Sequence, residues 1–464
     1  KMDSGIAFLL KGNSADVQYN GSTITEADLN SLTGLGPNVD RMVYSERNQL
    51  VTSDITLSSN VRSRGHRAIN GRIDLNANIY TSSVNPVTNT FGILVDGRYV
   101  ASPSPSPAVE AYLHSGKTID MTNSMGSIGI QALSGARIQN DGEIKVGKST
   151  TTTTGIGMYG NSVLSGTPLT SVLTEIINNG TVTLTANNGV GIVTQNIELG
   201  GKVVNNGVIK NLSTEKGTIG IYSSITAGAT PSSLGAGTIV NSGTVALGED
   251  SRGIYANNVT ISNTGGITVG DSVNDTAVGI YADTYSEINN SGNMTVGNKG
   301  IGYYLANSKL NITGGNFNIS NLGILAYGVD SSEINYSSTT GVTSSSASTL
   351  ADARPILYLK DSKLDFGSSN PLFTVRKNSI GVYAINSEIA GSSSYELGEN
   401  SIGVYSDQPP LSANTVENKS GSTITSISGS SPNAKGIIVK KGNVKNSGLI
   451  DLTGDKAVGI YLEG

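Results

Sequence analysis

The sequence predicts an all-β solenoid, a parallel β-helix built from three-strand coils, and three observations carry that expectation. First, the stretch from Gly253 to Tyr304 states one phrase twice and begins it a third time. It reads Gly253-Ile254-Tyr255-Ala256, Asn263-Thr264-Gly265-Gly266-Ile267-Thr268-Val269-Gly270, Gly279-Ile280-Tyr281-Ala282, Asn290-Ser291-Gly292-Asn293-Met294-Thr295-Val296-Gly297, then Gly302-Tyr303-Tyr304. A phrase that returns every few tens of residues marks a unit that buries its apolar face only by stacking on its neighbours. Second, after Gly92 the anchor glycine recurs at 129, 157, 191, 220, 253, 279, 302, 323, 381, 403, 436 and 459, with Ile356 in its place in one copy. The shortest steps, about 22 residues, hold three short strands and three turns. Third, 59 Gly against 19 Tyr, 5 Phe and no Trp leave too few large side chains for one globular core.

Composition bounds the function. A chain of 464 residues has room for about three ordinary domains, yet one repeat system covers most of it, so a single elongated class of structure is expected. Zero Cys removes disulfides and thiolate metal sites, while abundant Ser, Thr, Asn and Gly suit an extracellular surface. The net charge of −5 comes from few charges of mixed sign with no basic stripe, which argues against nucleic acid as a partner. No run of ~18 apolar residues is present, and the start at Lys1-Met2-Asp3-Ser4-Gly5-Ile6 lacks the basic and apolar regions of a signal peptide.

In chain order, residues 1–91 read as a less regular start of the solenoid. Thr25-Glu26-Ala27-Asp28-Leu29 resembles a helix N-cap with an acidic residue three positions on, so 25–50 is expected to be an excursion with one or two short helical turns. Strand alternation returns at Asp54-Ile55-Thr56-Leu57 and again around Ile69-Asn70-Gly71-Arg72-Ile73. Ser102 to Pro107, an alternating Ser-Pro run, is a stiff extended loop. Residues 92–464 form the regular β-helix. Each coil has a Gly-Ile-Tyr strand, a second strand after an Asn-Ser or Asp-Ser turn such as Asn307-Ser308, and a third after an Asn-x-Gly corner such as Asn178-Asn179-Gly180.

Period two places Val278, Ile280 and Ala282 on the inward face of the first strand, with the Gly and Tyr facing the other way. Corner glycines are expected to supply positive φ, and corner asparagines to hydrogen-bond to their equivalents in the next coil. Insertions fall at two corners. Those over 160–174, 223–237 and 407–416 follow the first strand; those over 148–154, 337–353 and 428–435 close the coil.

The alternation of Asn241-Ser242-Gly243-Thr244-Val245-Ala246-Leu247-Gly248 with Arg252-Gly253-Ile254-Tyr255-Ala256-Asn257, and of Asn446-Ser447-Gly448 with Ala457-Val458-Gly459-Ile460-Tyr461, resembles the passenger repeats of large type V autotransporter adhesins of fusobacteria. The resemblance spans about residues 92–464. It implies a right-handed parallel β-helix outside the outer membrane, whose partners are a host-cell surface protein or glycan, or other bacteria. Such a family member is expected to meet the outer membrane only through a C-terminal translocator barrel, and neither that barrel nor a signal peptide is read in these 464 residues. The last residues stop inside a coil, so a segment of a longer passenger is expected. No catalytic residue is implied.

Three functions are weighed. An enzyme acting on polysaccharide would need clustered carboxylates or a Ca²⁺ site in a groove. The acidic residues read as scattered, with none recurring at a fixed place across adjacent coils, and His66 and His114 lie in different coils. No catalytic, cofactor-binding or metal residue is assigned and no cofactor is expected. An adhesin would bind through loops, because loops diversify without disturbing a rigid scaffold. The 160–174 and 223–237 insertions leave one corner two coils apart, so Leu164, Pro168 and Leu169 on one and Ile225, Pro231 and Leu234 on the other are candidates for a shared patch. The recurring tyrosines Tyr222, Tyr255, Tyr281, Tyr304, Tyr358, Tyr383, Tyr405 and Tyr461 form a second candidate, an outward stripe able to stack on sugar rings, meet a protein or simply shield the flank. The third function is a spacer that holds a distal binding tip away from the cell.

Overall fold

The computed structural model describes residues 2–11, 18–19, 22–23, 28–29, 32–45, 48–97, 110–161, 174–195, 201–211, 214–224, 237–273, 276–408 and 415–463. Strand accounts for 57% and helix for 2%, and the long sheets are parallel, as a parallel β-helix requires. The chain divides into two compact units, 1–230 with 236–246 and 231–235 with 247–464.

In the first unit, three parallel sheets carry three interior columns. Ile93, Ile130, Met158, Ile192 and Ile221 lie in register in the first sheet. Ile73, Ala111, Ile138, Ile176, Val203 and Ile239 do so in the second. Ile79, Ile119, Ile144, Val182, Ile209 and Val245 form the third. All are fully buried, each contributing roughly 1.5–3 kcal/mol for the larger side chains. The second unit repeats the plan, with Ile254, Ile280, Tyr303, Ala326, Leu357, Val382, Val404 and Ile437 stacked along its first sheet. Its third sheet holds larger rings: Phe373 sits 5.8 Å from Tyr395 of the same sheet and 5.7 Å from Tyr336 of the second.

Val43–Ser45, His66–Ile69, Asn48–Val51, Arg72–Leu75, Ile55–Leu57 and Ile79–Thr81 already belong to the three sheets. Within the expected 25–50 excursion, Asp28 and Leu29 have helical backbone, but Leu35–Asp40 is a strand parallel to Met2–Ile6. The fully buried Leu29 packs with Leu10 and Met42. The Ser-Pro loop lies outside the described residues.

The anchor glycine faces inward, which corrects the expected alternation. Ladder pairing passes over it, joining Val278 to Ile301 and then Ile280 to Tyr303. Two successive residues, Gly279 and Ile280, thus point to the interior, while Val278 turns outward and packs with Ile301, Ile324 and the Tyr281, Tyr304 and Tyr327 rings. The cause is space. A β-carbon at Gly129, Gly157 or Gly191 would lie 2.7, 2.8 and 2.8 Å from Ile144, Val182 and Ile209 of the facing third sheet.

Corner chemistry also divides differently from the expectation. Positive φ is carried by the Asn or Asp of the second turn, with Asn307 at 48°, Asp361 at 51° and Asn386 at 47°. Such residues tolerate the left-handed region. Gly180, Gly207 and Gly243 at the other corner have ordinary φ; a β-carbon there would collide with the carbonyl of the corner glycine one coil below. The asparagine ladder is present as expected. Asn140, Asn178, Asn205 and Asn241 are fully buried, and each Nδ2 donates to the next Oδ1 at 2.7 Å. Asn263 and Asn290 repeat this at 2.7 Å in the second unit. One expected insertion, 337–353, is not wholly loop, because Val342–Thr343 is the third strand of its coil and pairs with Phe373 and Thr374.

Candidate functional site

On the outer face of the second unit's first sheet, one position after the inward Ile, period two turns a tyrosine outward in successive coils. Tyr255, Tyr281, Tyr304, Tyr327, Tyr358, Tyr383 and Tyr405 occur in register. Their ring centroids are 4.7, 4.8, 5.3, 4.3, 5.7 and 4.7 Å apart, and the planes lie within 14° of parallel. Tyr327 escaped the sequence reading because Gly323 looked like the anchor of its coil. The register puts Ile324 beside Ile301 and Ala326 beside Tyr303, so Leu325 holds the glycine position. A Tyr-Tyr spacing of 23 residues between 304 and 327 was the available signal.

The parallel-strand spacing of ~4.8 Å decides what this column can offer. It brings each ring into face contact with the next, so the π-faces within the column are covered by one another, leaving ring edges and hydroxyls toward solvent. Each ring is half-buried. Below, the rings close over an aliphatic column, Val278, Ile301 and Ile324 in one part and Ile380 and Ile402 in another. Burial pushes the Tyr281 and Tyr304 phenols up, reinforced by Asp283 beside both and Asp330 beside Tyr304. Burial and the Tyr358 neighbour push Tyr327 up to about 12. The Tyr281, Tyr304 and Tyr327 hydroxyls therefore stay protonated in neutral solution, available as donors and acceptors. At the far end, Lys440 Nζ sits 5.8 Å from the Tyr405 ring centroid and 3.3 Å from the Glu463 carboxylate.

The other predicted residues distribute as follows. Tyr222 lies in the first unit, in register with Val193. Tyr461 is in register with Ile438, which occupies the column position in the coil after Tyr405. The six loop candidates Leu164, Pro168, Leu169, Ile225, Pro231 and Leu234 all lie outside the described residues.

Charged groups outside the column hold one another. In the first unit Arg72 contacts Glu110 at 3.1 Å, and Arg137 reaches Glu110 at 3.0 Å and Glu175 at 3.1 Å. His114 Nε2 meets Asp74, its ring lies 4.5 Å from that of Tyr112, and the Tyr112 hydroxyl donates to Asp141 at 2.6 Å. That hydrogen bond is the main cause that raises the Tyr112 phenol to about 12. His66 is buried. No acidic residue holds this position in two adjacent coils, yet the acids have an order that the sequence reading did not see. Glutamates recur at one place, the first position of the second strand, alternating with Lys or Arg from coil to coil. Among the described residues no group of three or more His, Cys, Asp or Glu is placed to hold a metal ion, and no helix is long and apolar enough to cross a membrane.

No protein-family model matches this chain, and a search of curated proteins finds no match.

Proposed function

We propose that the chain is a non-enzymatic adhesive segment of a bacterial cell-surface protein, a β-helical scaffold that meets a host-cell protein or glycan, or another bacterium. The single observation that carries this reading is the tyrosine column: seven near-parallel phenols in register on one outward face, their hydroxyls presented in a row. Aromatic edges with a polar tip suit contact with a partner that is part apolar and part hydrogen-bonding. The repeat phrases shared with passenger segments of type V autotransporter adhesins support display outside an outer membrane, anchored through a translocator barrel. The pairing of the carboxylates Glu110, Glu175 and Asp74 with cations disfavours an enzymatic use for them.

A spacer is the second reading, and a specific observation favours it. The rings cover Val278, Ile301 and Ile324, so the column has a sufficient structural reason to exist. The test is binding of the purified chain to cells and to a glycan panel, beside Tyr281→Ser, Tyr304→Ser and a deletion of both the 160–174 and 223–237 loops. Binding lost in the tyrosine variants assigns the column. Binding lost only in the double-loop deletion assigns the loops, and a folded chain that binds nothing is a spacer.

A further inference from the structure

In each unit, taken by itself, one position at the start of the second strand alternates in charge over five successive coils, flanked by the uncharged Asn48 and Thr238 in the first and Thr260 in the second. In the first unit the register sets Arg72 beside Glu110, Glu110 beside Arg137, Arg137 beside Glu175 and Glu175 beside Lys202. In the second it sets Glu287 beside Lys309, then Glu333, Lys363 and Glu388. The signs run plus, minus, plus, minus, plus in one and the reverse in the other. Partners meet where side chains are long enough, Arg137 with Glu110 at 3.0 Å and Lys309 with Glu333 at 3.8 Å.

A stack of near-identical coils has a particular difficulty. A growing coil that passes over its neighbour and pairs with the next one still sets aliphatic on aliphatic. In the second sheet Ile261, Ile288, Leu310, Ile334, Leu364 and Ile389 are interchangeable for this purpose. Looping out one coil carries a modest entropic cost, so the slip competes during assembly even though the finished fold, with every coil buried, is far more stable. Repeat proteins misassemble in this way. The charged column alone has a period of two coils. A one-coil slip brings Glu287 against Glu333, or Lys309 against Lys363, replacing an attraction with a like-charge pair across adjacent strands, which is destabilising.

We propose that these columns are a stacking code: they specify which coil pairs with which as the solenoid assembles, by penalising the one-coil slip that the aliphatic column of the same sheet accepts. Their contribution to the stability of the finished fold is small, as for half-exposed ion pairs generally.

The chain has no cysteine, so engineered pairs report the stacking directly. Asn289, Asn311 and Asn335 are consecutive rungs, two positions along the same strands. Adjacent rungs at ~4.8 Å fall within disulfide reach, whereas rungs two apart, at about 9.6 Å, do not. Full-length chains carrying Asn289→Cys with Asn335→Cys are refolded under oxidising conditions, and Asn289→Cys with Asn311→Cys serves as the control for correct stacking. Three ladders are compared: the native one, one with Glu287, Lys309, Glu333, Lys363 and Glu388 all changed to Gln, and one with all five signs inverted. The 289–335 cross-link should rise about five-fold in the Gln ladder. It should stay at the native level in the inverted ladder, and it should rise in the native ladder at ~1 M salt, where the screening length falls to about 3 Å. Equal cross-linking in the native and Gln ladders would overturn the proposal, as would an inverted ladder that behaves like the Gln ladder. A Gln ladder that loses the 289–311 cross-link altogether would also overturn it, since the charges would then be required for stability rather than for choice of partner.

Discussion

Replacing Gly191 by Ala tests whether the anchor glycine is there for space. A β-carbon at 191 would stand 2.6 Å from the Gly220 carbonyl oxygen and 2.8 Å from Ile209 Cγ2, which is 0.8 and 0.6 Å short of the 3.4 Å where ordinary contact begins. Neither neighbour can yield. Gly220 is backbone in the next coil of the ladder, and Ile209 is a fully buried, β-branched side chain in the third interior column. Overpacking of this kind costs about 1–3 kcal/mol, and two unyielding contacts place it near the upper end. Reduced freedom of the unfolded chain returns ~0.4–1 kcal/mol, for a net loss of about 2 kcal/mol. Gly266 is the control: a β-carbon there meets nothing within 4 Å and its φ is ordinary, so Gly266→Ala should be neutral or stabilise by up to ~1 kcal/mol. Urea unfolding followed by circular dichroism measures the difference, and hydrogen exchange locates the loosened coils, since each coil touches only its neighbours. Unfolding midpoints for Gly191→Ala that match wild type would refute the steric account. So would an equal loss of stability in Gly266→Ala.

Asn205→Ala should destabilise by about 2–4 kcal/mol, because it strands the Asn178 Nδ2 donor and the Asn241 Oδ1 acceptor, both fully buried; the same urea assay reads it, and a change below ~0.5 kcal/mol would show the ladder to be dispensable. Ile280→Asp or Val382→Asp puts a carboxylate into a fully buried column, at a cost of several kcal/mol; thermal unfolding at the wild-type temperature would mean the inward face is misassigned.

How much was legible from the residues depended on whether a feature repeats identically. The asparagine ladder was readable because each coil needs the same side chain at the same corner. The first strand's interior column was readable at Ile280 and Ala282 because any aliphatic serves. The inward glycine was not, since two consecutive inward residues, Gly279 and Ile280, break period two, and the facing Met294 side chain and the Gly302 carbonyl of the next coil explain why the first lacks a β-carbon. The charged columns were hidden for the opposite reason, because a position that alternates Glu287, Lys309, Glu333 and Lys363 never repeats its residue from one coil to the next. Tyr327 was lost through a two-residue shift of its apparent anchor. The candidate loops differ from one another and carry no repeat at all, so pattern could say only where they leave the scaffold.

Alkaline pH offers a direct test of the tyrosine column and of the interior rings together. Burial pushes Tyr281, Tyr304 and Tyr383 up and takes Tyr327 to about 12, and it raises Tyr303, Tyr336 and Tyr395 of the interior further still. A phenol whose folded pKa lies above its unfolded value of ~10 stays protonated longer in the fold than in the open chain. Below about pH 10 both states hold the proton, so these groups make stability independent of pH there. Above it the unfolded chain releases protons first, and stability falls as pH rises through the folded values. Stacking sharpens the effect, since one phenolate in the column would face neighbours 4.3 to 5.7 Å away and raise their pKa in turn. Phenolate absorbance and β-sheet circular dichroism should therefore be titrated in parallel. These phenols are expected to ionise above the ordinary tyrosine range, as the sheet signal collapses, and Tyr327→Phe should remove amplitude from that late phase. Complete, reversible phenol ionisation near pH 10 with the sheet signal intact would show that the rings are neither stacked nor buried as described.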